Sequence, residues 1–147
     1  MAVDVLTEIT IARRRSEVAD YAADPDNAPT WYENIESVAW KTDPPLATGS
    51  EVEFTARFMG RRLTYTYRVE EYTRNERLVM STTGGPFPME TTYTWTDGDG
   101  QRTRMTLRNR GGATGPLSRL TAPIEAMAVR RATRKDLARL RQILEQT

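Results

Sequence analysis

The chain of 147 residues contains no cysteine and no histidine. Without cysteine there is no disulfide, no thiolate nucleophile and no metal site with sulfur ligands. Without histidine, the commonest general base and the commonest zinc ligand are both missing, so Ser-His and Cys-His catalysis are excluded. Any chemistry must come from carboxylates, tyrosine, lysine, arginine or bound water. We therefore expect neither a metal nor a cofactor.

A strong net charge and a long apolar run are also missing. The 21 basic and 20 acidic residues give a net charge of +1, which argues against bulk attraction to nucleic acid or anionic membrane. No apolar run is long enough to span a bilayer, and the alternating N-terminus lacks the apolar core of a signal peptide. We expect a cytoplasmic protein with no nucleic-acid partner and no integral membrane segment.

The size and composition suit one globular domain over residues 1–147. The hydrophobic content of 38% is ordinary for a soluble protein, and the length allows a real hydrophobic core. Composition leaves both a monomer and a homodimer open.

Alternation of apolar and polar residues predicts a body rich in strands. The first strand covers residues 3–11, after which Ser16 is placed to cap a short helix. Asp24 and Pro25 end that helix and start a second short helix or turn over residues 25–34. Further strands are predicted at residues 35–41, 50–58, 63–70, 78–82, 89–95 and 103–110. Such alternation on consecutive strands indicates an antiparallel sheet with one wet face.

The last thirty or so residues predict one long helix, from about residue 116 to residue 146. Its apolar positions do not form one straight stripe, and Pro123 is expected to kink or restart the helix. A strand-rich body followed by a single long helix can bury that helix across the concave side of a curved sheet. The space between helix and sheet is then either core or pocket.

Several short segments, in this order and spacing, carry a family resemblance. They are Val18-Ala19-Asp20-Tyr21, Asp24-Pro25, Trp31, Gly49-Ser50, Glu76-Arg77-Leu78-Val79, and residues 136–145. With them the whole chain resembles the SRPBCC or START-like superfamily, and most of all its bacterial polyketide cyclase/dehydrase-like branch. The resemblance implies an α+β helix-grip fold, that of the major birch-pollen allergen. In it a curved antiparallel sheet of about seven strands wraps around a long C-terminal helix, with two short helices between strands 1 and 2.

The same resemblance implies a cavity between the sheet and the long helix. Strand alternation then assigns its wall to Phe54, Phe58, Tyr65, Tyr67, Met89, Thr91, Tyr93, Trp95, Met105, Leu107 and Asn109. Its lid is assigned to Leu117, Leu120, Ile124 and Met127, and Phe87 in the loop of residues 83–88 is a candidate gate at the mouth. This mixture of apolar residues with a few polar groups is typical of a small-molecule pocket. The alternative is that these residues simply fill the core.

Three functions follow from these features. The inward faces of the central strands carry no charged residue, which favours binding of a hydrophobic or aromatic small molecule, lipid-like or polyketide-like. A polyketide cyclase, aromatase or dehydratase in the same cavity is the alternative, since holding a poly-ketone in a folded shape supplies rate by proximity. A second alternative is a protein-interaction module, a chaperone helper or toxin-like protein. It would use the outer face of the sheet or the basic side of the long helix. The simpler interpretation of that basic side is a solvated face, and weak docking on an acidic protein or a membrane is the alternative.

Overall fold

The predicted helix-grip architecture is confirmed. The computed structural model describes residues 3–58, 60–85, 88–111 and 118–146, without the side chains of Phe58 and residues 118–122. Within these residues a seven-stranded sheet with strand order β1-β7-β6-β5-β4-β3-β2 is joined by a long C-terminal helix. Each neighbouring pair of strands is antiparallel. The first and second strands therefore form the two edges of the sheet.

The elements follow the order expected from the alternation pattern. They are β1 (Val3–Ile11), α1 (Arg15–Ala23), a 3-10 turn (Pro25–Asn27), α2 (Ala28–Trp31), β2 (Ile35–Trp40), β3 (Glu51–Phe58), β4 (Arg61–Thr73), β5 (Arg77–Gly84), β6 (Met89–Asp97), β7 (Thr103–Gly111) and α3 (Ser118–Glu145). The two short helices lie between β1 and β2, where the resemblance placed them.

The predicted helix cap at Ser16 is wrong. The helix α1 starts at Arg15, and its N-cap is Arg14, which makes no capping hydrogen bond through its side chain. The first turn is closed by the Val18 N–H, which donates to the Arg14 carbonyl at 3.1 Å. Arg14 also pairs with Glu17 at 3.0 Å, a spacing that stabilises a helix.

The second half of α3 is the part that packs into the core. Leu137, Leu140 and Leu144 are buried, and the helix contacts β1 and α2. Its end is held by the Glu145 carboxylate, which accepts the Ala12 N–H at 2.9 Å. The helix runs through Pro123 as one element, so the predicted restart does not occur. None of the described helices combines the length and the apolarity needed to cross a bilayer.

Gly111, at the end of β7, cannot accept a side chain. It pairs with Val3 on one side and Met89 on the other, at a φ of 147°. A Cβ atom there would lie 2.5 Å from the Pro88 carbonyl oxygen and 3.0 Å from the Met89 Cα. Because both are backbone atoms, relief would require the β6 and β7 strands to separate.

We predict that Gly111→Ala lowers the free energy of unfolding by about 2 kcal/mol or more, through the clash and the positive φ. Gly84→Ala is the matched control, because a Cβ at Gly84 meets nothing within 4 Å. It should stay within about 0.5 kcal/mol of the wild type. Urea unfolding of both variants makes the comparison, and equal stabilities would contradict the predicted clash.

Candidate functional site

Most of the predicted wall residues lie together on the concave face of the sheet. The register sets Phe54 opposite Tyr65, Thr91 opposite Asn109, and Tyr93 opposite Leu107. These residues are buried or half-buried, and most of their chain neighbours on the other face are more exposed, with Thr66 and Thr92 as buried exceptions. The wall residues described on this face are Phe54, Tyr65, Tyr67, Met89, Thr91, Tyr93, Trp95, Met105, Leu107 and Asn109. The side chain of Phe58 lies outside the described part of the structure.

Aromatic rings cover the β3 and β4 side of this face. Phe54 stacks on Tyr65 with ring centroids 5.8 Å apart, and Tyr67 meets Tyr65 edge to face at 5.3 Å. Such offset and edge contacts are the arrangements that aromatic quadrupoles favour. The Tyr65 hydroxyl makes no hydrogen bond to any described residue, so it is free to bond another molecule.

A short polar chain crosses from β4 to β7. The Thr91 hydroxyl donates to the Asn109 side-chain oxygen at 2.9 Å, and the Tyr67 hydroxyl lies 2.7 Å from Thr91. Because Thr91 has one proton and uses it toward Asn109, Tyr67 must donate to Thr91. The Asn109 amide nitrogen keeps its two N–H donors without a partner among the described residues. The chain therefore ends in free donors on the concave face.

A second polar pair joins the short helix α2 to β6. The hydroxyls of Tyr32 and Tyr93 lie 2.5 Å apart. Trp31 packs beside this pair, with its ring centroid 4.1 Å from that of Tyr32 and 6.0 Å from that of Tyr93. Sequence reasoning identified Tyr93 and missed Tyr32. The sequence feature that could have identified Tyr32 is its place directly after Trp31, in a short segment expected to pack against one end of the sheet.

The phenols of this face are neutral donors near neutral pH. Burial raises the pKa of Tyr32, Tyr65 and Tyr93 well above the ordinary value of a tyrosine. Burial also raises the pKa of Tyr67, to about 12, although its hydrogen bond with Thr91 lowers it. These side chains can donate hydrogen bonds to a carbonyl oxygen, but they are poor bases.

Asp136 is a buried carboxyl group that sequence reasoning did not identify. It lies on α3 with 4% of its surface exposed, and one oxygen accepts the Glu33 N–H at 3.0 Å. Burial raises its pKa to about 6, although the hydrogen bond from Glu33 lowers it. Its charge contributes to the raised pKa values of Tyr32 and Tyr93, which shows that the three groups lie near one another.

A surface depression of about 430 Å³ leads to this carboxyl group. It is lined by Pro29, Tyr32, Glu33, Lys135, Asp136 and Arg139. Tyr32 therefore both lines the depression and reaches Tyr93 with its hydroxyl. A carboxyl group with a pKa of about 6 near the phenol pair is suited to exchange protons near neutral pH. Among the described residues, no cluster of three or more acidic side chains is arranged to hold a metal ion.

The predicted lid residues that can be located lie in solvent. Ile124 is 67% exposed and Met127 is 70% exposed. The side chain of Leu120, and Leu117 and Phe87 as whole residues, lie outside the described residues. The assignment of the four lid residues, and of Phe87 as a gate, stays a prediction.

The ionisation of Asp136 makes stability depend on pH. The folded state holds this proton up to about pH 6, whereas an unfolded aspartate loses it near its ordinary value of 3.8. Folded protein therefore binds more protons across this window, and stability from this group falls as pH rises through it. We predict that the stability of Asp136→Asn relative to the wild type rises by about 1–3 kcal/mol from pH 4 to pH 7.

Urea unfolding across this pH range measures the difference. The asparagine oxygen can still accept the Glu33 N–H, so the variant removes the charge and keeps the hydrogen bond. Asp99→Asn, at an exposed position between β6 and β7, is the control and should show no such rise. A stability difference for Asp136→Asn that is constant from pH 4 to pH 7 would contradict the prediction.

Solved structures share this fold at low sequence identity. A protein of Thermus thermophilus, TTHA0849, is 18% identical with a TM-score of 0.83, covering 97% of each chain. The Zhui aromatase/cyclase of Streptomyces sp. R1128 is 20% identical with a TM-score of 0.79, covering 97% of this chain and 93% of that one. A START superfamily protein of Mycobacterium smegmatis is 14% identical with a TM-score of 0.68, covering 92% and 98%. At these identities the likeness is one of fold.

The family assignment comes from a match over nearly the whole sequence. A search of curated proteins finds no match. Residues 2–145 match a family model described as polyketide cyclase / dehydrase and lipid transport. The match spans β1 through α3, so it includes the concave face, the phenol pair and Asp136. The chain belongs to the polyketide cyclase/dehydrase and lipid transport family.

Proposed function

We propose that the protein binds a hydrophobic or aromatic small molecule, lipid-like or polyketide-like, between the concave face of the sheet and α3. The observation that carries this proposal is a face of aromatic rings with neutral donors that the described residues leave unpaired. They include the Tyr65 hydroxyl, the Asn109 amide and the buried indole N–H of Trp95. They suit a ligand with carbonyl or hydroxyl oxygens on an apolar frame.

The described side chains of this face are uncharged, which favours a neutral ligand. Its residues on β3, β4, β6 and β7 are aromatic, aliphatic, hydroxyl or amide side chains. A charged ligand would lose its hydration without gaining a counter-charge there, which is costly. The family description, which includes lipid transport, supports the same class of ligand.

The free phenol of Tyr65 gives a direct test. We predict that Tyr65→Phe weakens binding of 2-acetylnaphthalene by about 3- to 10-fold, the worth of one neutral hydrogen bond. Binding of 2-isopropenylnaphthalene should not change, because a CH2 group replaces the carbonyl oxygen in nearly the same shape. Isothermal titration calorimetry measures both affinities. Tyr21→Phe on α1, where the hydroxyl bonds Thr30, is the control and should leave both ligands unaffected.

Native mass spectrometry of the purified protein complements the titration, since a buried apolar ligand can survive purification. A co-purified small molecule would support the proposal and name its class. If no small molecule co-purifies and neither naphthalene binds, the proposal is wrong.

A cyclase, aromatase or dehydratase is the second candidate function. The observation that favours it is the Tyr32–Tyr93 pair with Asp136 close by, because this places neutral donors beside a carboxyl group with a pKa of about 6. The name of the Zhui aromatase/cyclase, which shares the fold, supports the same possibility. On its own the rest of the concave face offers donors and no base.

The chemistry can be written with these groups. The Asp136 carboxylate removes a proton from a methylene group between two carbonyls of a poly-ketone, directly or through water. The resulting enolate oxygen accepts a hydrogen bond from Tyr93, and its carbon attacks a second carbonyl of the same molecule. The new alkoxide takes that proton back from Asp136. Asp136 then removes the remaining proton of the attacking carbon, and the hydroxyl group takes up this proton and leaves as water, which forms the double bond of the ring. The shape of the cavity would hold the enolate carbon close to the second carbonyl, so that proximity contributes to the rate.

For this candidate, we predict that Tyr93→Phe lowers kcat on a linear poly-ketone by about 10- to 100-fold, since it removes an oxyanion donor. Binding should weaken by less than about tenfold. In the wild type, kcat should rise as pH passes through about 6, and Asp136→Asn should abolish that rise. The control is again Tyr21→Phe. Unchanged turnover in Tyr93→Phe and Asp136→Asn would remove both groups from the mechanism.

A further inference from the structure

One side of α3 faces solvent with an unusual combination of side chains. Ile124, Met127, Arg131, Arg134 and Lys135 are all exposed. At about 100° per residue they share one side of the helix, opposite Leu137 and the other buried leucines. We call this side the outer face of α3. Large apolar side chains in solvent, grouped with cations, are typical of a binding surface.

The cations of the outer face are unpaired. Arg131, Arg134 and Lys135 make no ion pair with any described residue, whereas strand arginines such as Arg104 and Arg108 are paired with acids. Between residues 126 and 141 the single acidic residue is Asp136, which is buried. The whole chain has a net charge of only +1, so the remainder of the molecule is net acidic. The outer face is therefore a patch of positive charge without acidic partners among the described residues.

We propose that the outer face of α3 docks on an anionic lipid surface. Arg131, Arg134 and Lys135 would contact lipid phosphates, and Ile124 and Met127 would enter the boundary between headgroups and acyl chains. Each cation near such a surface strengthens binding by about fivefold. The docking surface lies outside the concave face of the sheet, and it meets the depression that leads to Asp136 only at Lys135. It would act whether the cavity carries a ligand or catalyses a reaction.

Two other occupants fit the outer face less well. A second copy of the chain, placed face to face, would set the same cations against one another. Protein interfaces are enriched in aromatic residues, methionine and arginine and depleted in lysine at their centres. The outer face shares methionine and arginine with such interfaces, but it has Lys135 and no aromatic side chain from residue 123 to residue 142. A fluid anionic surface needs only charge and a few apolar side chains, which is what the outer face offers.

Vesicle flotation tests the proposal with the full chain. Vesicles of phosphatidylcholine are compared with vesicles that also contain about 30% phosphatidylglycerol, at low and high salt. The wild type should bind the anionic vesicles, lose binding at high salt, and ignore the neutral vesicles. The double variant Arg131→Glu/Arg134→Glu should bind at least about 25-fold more weakly, about fivefold for each cation removed. Ile124→Ser/Met127→Ser should also weaken binding while its salt dependence remains.

A matched control separates the outer face from net charge. Arg61 and Arg102 are exposed and make no ion pair with described residues, so Arg61→Glu/Arg102→Glu changes the net charge equally. This control should bind within about threefold of the wild type, and circular dichroism should show all variants folded. Equal losses in both charge variants, or a wild type that does not bind anionic vesicles, would overturn the proposal. Binding to polyglutamate but not to vesicles would instead assign the face to an acidic protein.

Discussion

Burial of one side of α3 is the constraint on which the rest of the site depends. Leu137, Leu140 and Leu144 fill the core beside β1, and hydrogen bonds hold the helix in that rotation. The Asp136 carboxylate accepts the Glu33 N–H, and the Arg139 guanidinium donates to the Thr30 carbonyl at 2.6 Å. Because each residue turns a helix by about 100°, fixing this side fixes the direction of every other side chain. The same rotation buries Asp136 and exposes the outer face.

The polar groups of the interior are of two kinds. Hydroxyl and amide groups bond one another, as Tyr67, Thr91 and Asn109 do in sequence and as Tyr32 does with Tyr93. An unpaired buried donor would cost more than a hydrogen bond contributes, so this pairing stabilises the concave face without a ligand. The buried indole N–H groups of Trp31 and Trp95, by contrast, have no partner among the described residues. The Tyr65 hydroxyl and the Asn109 amide also lack one, and a ligand can bond these two without breaking the internal chain.

Sequence patterning could predict the fold and the concave face, because strand alternation has a period of two and decides which face is buried. That is how Phe54, Tyr67 and Tyr93 could be placed without coordinates. It could not identify Asp136, since an aspartate among arginines on a helix has the pattern of a solvated residue. Its burial comes from contact with α2 and with Glu33 just after it, more than one hundred residues earlier in the chain. Tyr32 could not be identified for the same reason, because its hydrogen-bond partner, Tyr93, lies on the distant strand β6.

The position of Pro123 limits how α3 can cover a cavity. A bend at a proline changes the direction of the turns before it relative to the turns after it, because the lost hydrogen bond joins those two parts. Ile124 and Met127 come after Pro123, on the same side of any bend as Leu140. A bend at Pro123 therefore cannot turn them toward the sheet while the leucines stay buried. It would redirect residues 118–122 instead, so the exposed apolar pair keeps its place on the outer face whatever direction the first turn of α3 takes.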